Sequence, residues 1–182
     1  VYFSTYRYLL EYKHKGSDEM KQTKTYALII SALGMALVFL ATYLIKIPNG
    51  IQGYFNLGDG FLMLFASFLN PWQAFLVGGV GSALADIVGG YGIYALPTLL
   101  IKGLEAWIIA YICQQRKALR LLSYFLAGAA MILGYFLADS LINESFWLGF
   151  SGMFANLLQA LIGIAIACCA YPLLAKIWKN DK

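Results

Sequence analysis

Apolar runs of roughly 17 to 25 residues, each long enough to cross the roughly 30 Å of bilayer hydrocarbon as a helix, recur along almost the whole chain. No other feature restricts the fold as severely. In hydrocarbon every backbone N–H and C=O must find its partner inside the protein, so a spanning chain is either helical or a closed barrel. A barrel would show short segments of alternating polarity, and the sequence has none. Composition agrees: 61% of the 182 residues are hydrophobic and 12% are charged, where soluble domains carry about 25% charged residues. The expected fold is all-α, a polytopic membrane protein with about six transmembrane helices.

The runs predict helices over about 25–45, 57–69, 72–88, 97–113, 121–138 and 151–176, broken at IPNG (47–50), NP (70–71), GGYG (89–92) and DSLINES (139–145). The second is short for a span, so it is tilted, extended into the preceding loop, or half of a re-entrant hairpin with the third. Lys21 and Lys24 precede the first helix, Arg116, Lys117 and Arg120 lie between the fourth and fifth, and Lys176, Lys179 and Lys182 follow the sixth. With an even number of spans between them, these clusters share one side, and the positive-inside rule makes both termini cytoplasmic. The opposite loops carry only Lys46 among cations, with Asp139 and Glu144. Residues 1–19 read as an N-terminal extension, either non-native before a start at Met20 or a short interfacial helix. Residues 20–182 form a single transmembrane domain.

Several chemistries drop out. Cys113, Cys168 and Cys169 sit in apolar runs without metal-ligand spacing, and the single histidine, His14, lies in the polar tail. No metal site, cofactor or catalytic residue is expected in this chain. GFSG (149–152) matches the GxSG of rhomboid-type proteases, but those need a membrane histidine as base; here it reads as a cap opening the sixth helix. There is no GxxxxGK[ST] for ATP.

The orientation gives each polar residue a depth, because a helix rises about 1.5 Å per residue. Asp59 starts the second helix, Asp86 nears the outer end of the third, and Asp139 closes the fifth on that side. Lys102 and Glu105 fall roughly 8 to 12 Å below the outer start of the fourth helix, with Asn156 and Gln159 similarly deep in the sixth. The inner halves hold no comparable ionisable residue. A cup follows, polar toward the outside and sealed by apolar side chains below.

A central Lys costs about +2.5 to +3.5 kcal/mol on insertion scales, against about −0.3 to −0.6 for each Leu or Ile. Lys102 and Glu105 share a helix face and partly neutralise each other; the pair either lines a polar cavity or braces Asp59 or Asp86. Asn156 and Gln159 either meet an uncharged heterocycle or bond helix to helix. Tyr91, Tyr94, Tyr135, Phe146 and Trp147 either stack on a flat ligand or form an interfacial belt. The candidate binding residues are therefore Asn56, Asp86, Tyr94, Lys102, Glu105, Tyr135, Trp147, Asn156 and Gln159.

Ala32 and Ala36 form AxxxA in the first helix, and Gly78 with Ser82, Ala130 with Gly134, and Gly163 with Ala167 repeat the small-xxx-small spacing. Together with NLGDGFLML (56–64) and GSALADIVGGYGIYALPTLLIKGLEA (81–106), this pattern resembles the S component, the substrate-binding membrane subunit, of energy-coupling factor (ECF) vitamin transporters. The resemblance is densest from 54 to 106. It implies capture of a vitamin or precursor from outside, in a pocket of helices four to six covered by the loop after helix one, here 46–56. It further implies a T subunit docking on the Ala32 and Ala36 face, two ATPase subunits that use ATP, toppling of the S component in the membrane to release substrate inward, and a bacterial cell membrane location. The nearest members handle hydroxymethylpyrimidine or pyridoxine, with riboflavin and pantothenate open. Asp59 is expected to anchor the lid and Asn56 to touch substrate. The rival expectation is a stand-alone secondary transporter or channel with Asp59, Asp86 and Glu105 as an ion relay.

Overall fold

The computed structural model describes residues 25, 27–48 and 54–180. Among them, helix α1 (Ala27–Leu44) leads into a two-stranded ribbon, β1 (Lys46–Pro48) and β2 (Tyr54–Asn56). Five helices follow: α2 (Gly58–Ala66), α3 (Pro71–Val88), α4 (Ala95–Gln115), α5 (Arg120–Ile142) and α6 (Phe146–Asn180). Four helical segments, Ala27–Leu44, Gly92–Gln115, Lys117–Ile142 and Phe146–Lys176, are long and apolar enough to cross a membrane. The nine residues of α2 cover only about 13 Å, so this element is shorter than expected and cannot span. The expectations for residues 1–19, Lys21, Lys24 and Lys182 lie outside the described residues.

Local chemistry sets the breaks. Asn70 caps α3 by accepting the Gln73 N–H at 3.0 Å, with Pro71 at the first helical position where its missing N–H is harmless. At the other end Gly90 adopts φ 85°, the Tyr91 N–H donates to the Asp86 carbonyl at 2.8 Å and Gly90 N to Ile87 O at 3.4 Å. These are the two bonds of a Schellman stop, and they fix Asp86 in the last turn.

The break after α5 is shorter than DSLINES suggested. Helix α5 continues through Asp139 and Ser140 to Ile142, and Glu144 takes the left-handed position at φ 50° while Ser145 N donates to Ser140 O at 3.0 Å. Ser145 then accepts from Leu148 N at 3.4 Å, so α6 begins at Phe146 and GFSG lies inside it. The motif is a helix contact instead of a cap. A Cβ on Gly149 would come within 2.0 Å of Ser140 Oγ, and one on Gly152 within 2.8 Å of Asp139 Oδ2.

Burial is inverted relative to a soluble protein. Leu141, Leu28 and Leu96 are 78%, 68% and 66% exposed, while Asp59, Lys102, Glu105 and Gln159 are buried. Apolar side chains facing outward suit lipid contact, and intramembrane charges face the bundle interior. The apolar core, including Val38, Leu62, Met63, Phe65, Val77, Ile109 and Tyr124, fills the middle and the end away from the ribbon. Helix α3 packs closely on α4, and α6 on α5 and α2. Glycines permit both approaches: a Cβ on Gly79 would stand 2.6 Å from Leu99 O, and one on Gly163 2.8 Å from Asp59 Cβ.

Candidate functional site

The site gathers where α1, α3 and α5 end and α2 and α4 begin. On α4, Lys102 Nζ donates to Asp59 Oδ1 of α2 and, at 3.0 Å, to Glu105 Oε2 one turn on. Gln159 of α6 joins them: its Nε2 donates to Asp59 Oδ2 at 3.1 Å, and its Oε1 accepts from Asn56 N at 2.9 Å and Asn56 Nδ2 at 3.2 Å. The amide orientation is forced, because the carboxylate can only accept and the backbone N–H can only donate. Asn56 Oδ1 accepts from Gly58 N at 2.8 Å, closing the turn from β2 into α2. A buried network thus ties α2, α4 and α6 to the ribbon, and the low dielectric strengthens each charged bond provided its groups remain paired.

Above this floor opens a cavity of about 470 Å³, counting its open mouth, lined by Thr42, Asn56, Ser82, Asp86, Tyr91, Tyr94, Thr98, Lys102, Tyr135, Asp139, Asn156 and Gln159. On one wall Tyr94 OH donates to Asp139 Oδ1 at 2.9 Å; on another Tyr135 OH donates to Thr98 Oγ1 at 3.1 Å. Lys102 Nζ stands 5.6 Å from the Tyr135 ring centroid, within range of a cation–π attraction.

The sequence model of the ECF-type riboflavin transporter, S component, matches residues 22–177. The chain belongs to that family. A Pyrococcus woesei protein, described only as an uncharacterized protein in the gap 3′ region, is 43% identical over 101 residues, 54% of this S component and 68% of its own length. The thiamine precursor transporter HmpT of Lactococcus lactis is 22% identical over 151 residues, covering 82% and 87% of the two chains. The S component is accordingly a vitamin-transporter subunit of the substrate-binding kind, and the family and this named relative are transporters, not enzymes.

Seven of the nine candidate residues of this S component line the cavity: Asn56, Asp86, Tyr94, Lys102, Tyr135, Asn156 and Gln159. Two do not. Glu105 is fully buried behind Lys102, and Trp147 is 75% exposed, edge to face with Phe146 at 5.8 Å and Phe150 at 6.5 Å. Asp59 bridges α4 and α6, while the ribbon is held by the bonds from Asn56 to Gln159. Five lining residues were not among the candidates: Thr42, Ser82, Tyr91, Thr98 and Asp139. Helical spacing could have found three of them, since Ser82, Thr98 and Asp139 each lie four positions from Asp86, Lys102 and Tyr135. The lid expected over 46–56 is an antiparallel ribbon at its two ends, with Lys46 opposite Asn56; residues 49–53 lie outside the described residues. Ala32 and Ala36 sit on the exposed face of α1, away from the core.

Proposed function

We propose that this S component captures a small, water-soluble nitrogen heterocycle of the hydroxymethylpyrimidine or pyridoxine type from outside the cell. An ECF T subunit and two ATPases then drive its release inward with ATP. The lining of the cavity carries the reading: among the described residues, all twelve that line it are polar or tyrosine. Ligand pockets are usually mostly apolar with a few placed polar groups, so this one suits a ligand with many hydrogen-bonding atoms for its size. The Lactococcus relative, named for a thiamine precursor, favours the same substrate class.

The basic residues Arg116 and Lys117 lie between α4 and α5, and Arg120 opens α5, at the end opposite the cavity. The positive-inside rule makes that end cytoplasmic and turns the cavity outward, with both termini in the cytoplasm and the chain in the cell membrane. The exposed Ala32 and Ala36 face of α1 is the surface for the T subunit. Calorimetry on the purified chain in nanodiscs, with hydroxymethylpyrimidine, pyridoxine, pantothenate and riboflavin as ligands, tests the proposal. Submicromolar binding of one of the first two is expected, and a panel in which none binds ends it.

A further inference from the structure

The end of the bundle opposite the cavity carries charge that the described residues do not balance. Arg116, Lys117 and Lys176 are exposed there, and Arg120 is half-buried at the start of α5. The carboxyl groups of the described residues, Asp59, Asp86, Glu105, Asp139 and Glu144, all lie toward the other end. Along α4, Glu105 is roughly 16 Å from Arg116, far beyond ion-pair distance. Arg120 is the cation that the fold holds in place. Its guanidinium carbon stands 3.4 Å from the Tyr171 ring centroid on α6, and Phe68 stacks on the same ring at 4.9 Å. A cation–π contact occupies a flat face of the guanidinium and leaves its N–H edge to other partners. Among the described residues no carboxylate pairs with Arg120, and its buried Nε has no hydrogen-bond partner. A cation taken partly out of water needs a counter-charge. Exposed leucines bracket this one: Leu119, Leu121 and Leu122 beside it in the chain, and Leu173 just past Tyr171.

We infer that the inner ends of α5 and α6 bind the phosphate headgroup of an anionic phospholipid, with Arg120 as the anchoring cation and Arg116 and Lys117 as supporting charges. The site is separate from the cavity and does not depend on which vitamin is captured. A guanidinium presents paired donors that match phosphate oxygens. The start of α5, where Leu119 supplies no side-chain cap, adds the positive end of the helix dipole. The leucines favour a lipid over a free phosphate, because they offer apolar contact that acyl chains use and a soluble anion does not. In the orientation given by the positive-inside rule the headgroup belongs to the cytoplasmic leaflet, whose surface is negative.

Native mass spectrometry of the full chain, released from nanodiscs of equal phosphatidylglycerol and phosphatidylcholine, reads which lipid stays bound. Phosphatidylglycerol is expected to be retained about fivefold or more over phosphatidylcholine, the factor that one cation near a membrane surface contributes. Arg120→Gln should lower that ratio by about fivefold. Lys176→Gln removes the same charge from the same end, more than one helical turn beyond Tyr171, and should lower it by less than about twofold. Tyr171→Leu keeps the charge but removes its support; it should lower the ratio by about twofold or more, and it carries the test if Arg120→Gln does not fold. Equal retention of the two lipids, equal losses in Arg120→Gln and Lys176→Gln, or an unchanged ratio in Tyr171→Leu overturns the inference. So does a rise in melting temperature with inorganic phosphate as large as that with added phosphatidylglycerol, which marks a site for a soluble anion.

Discussion

Replacing Lys102 with methionine removes the one ammonium from the buried network. Its side chain is 2% exposed, and the two carboxyl groups it holds, Asp59 and Glu105, are 1% and 0% exposed. Methionine fills similar space, so the loss is electrostatic: two carboxyl groups stay in the bundle with Gln159 as the remaining donor to Asp59, and Glu105 Oε1 already has no hydrogen-bond partner among the described residues. Removing one partner of a buried ion pair costs about 3–5 kcal/mol. For a chain of this size each kcal/mol moves the melting temperature by about 2–4 °C, which gives a fall of roughly 6 to 20 °C. The assay is thermal unfolding of the purified protein in detergent, followed by intrinsic fluorescence. The triple variant Asp59→Asn, Lys102→Met, Glu105→Gln should recover most of the loss, because neutral groups of the same shape need no counter-charge. A Lys102→Met protein that melts within about 2 °C of the parent would refute the reasoning. So would a triple variant no more stable than the single one.

Gln159→Leu removes three hydrogen bonds, at 2.9, 3.2 and 3.1 Å, and should cost about 1–3 kcal/mol. Amide exchange at residues 54–56 should accelerate, and unchanged protection there would show that the ribbon is held by something else. Gly163→Ala sets two effects against each other. Helix propensity favours alanine by about 1 kcal/mol, but the new Cβ would stand 2.8 Å from Asp59 Cβ and overpacking costs about 1–3 kcal/mol; the variant should melt lower, and a higher melting temperature would contradict the close α2–α6 approach. Ala32→Trp combined with Ala36→Trp, both on the exposed face of α1, should leave ligand affinity within about twofold, since neither residue lines the cavity. It should abolish co-purification with the T subunit and ATPases; intact assembly would move the docking surface elsewhere.

Much of this organisation was legible in the sequence because membrane helices follow local rules. Apolar run length gave the helices, Asn70-Pro71 and Gly89-Gly90 gave two stops, and the depth of Asp59, Asp86, Lys102 and Gln159 along their helices placed the polar residues at one end. Helix ends were less legible where side chains and backbone compete. Asp139 and Ser140 read as loop residues, but α5 carries them on to Ile142, and the stop falls at Glu144, a residue whose left-handed backbone no composition rule anticipates.

The sequence by itself determined that this chain folds as apolar helices with polarity confined to one end, since hydrocarbon requires local backbone pairing and a depth follows from counting residues. Tertiary structure alone decided which polar residues meet from one helix to another. Lys102 finds Asp59 across 43 positions and Asp59 finds Gln159 across 100, while Glu105 is turned behind the floor and Trp147 out of the cavity. Helical period assigns a residue to a face, but which faces oppose each other depends on how closely the helices approach, and here that is set by contacts such as Gly79 on Leu99 and Gly163 on Asp59.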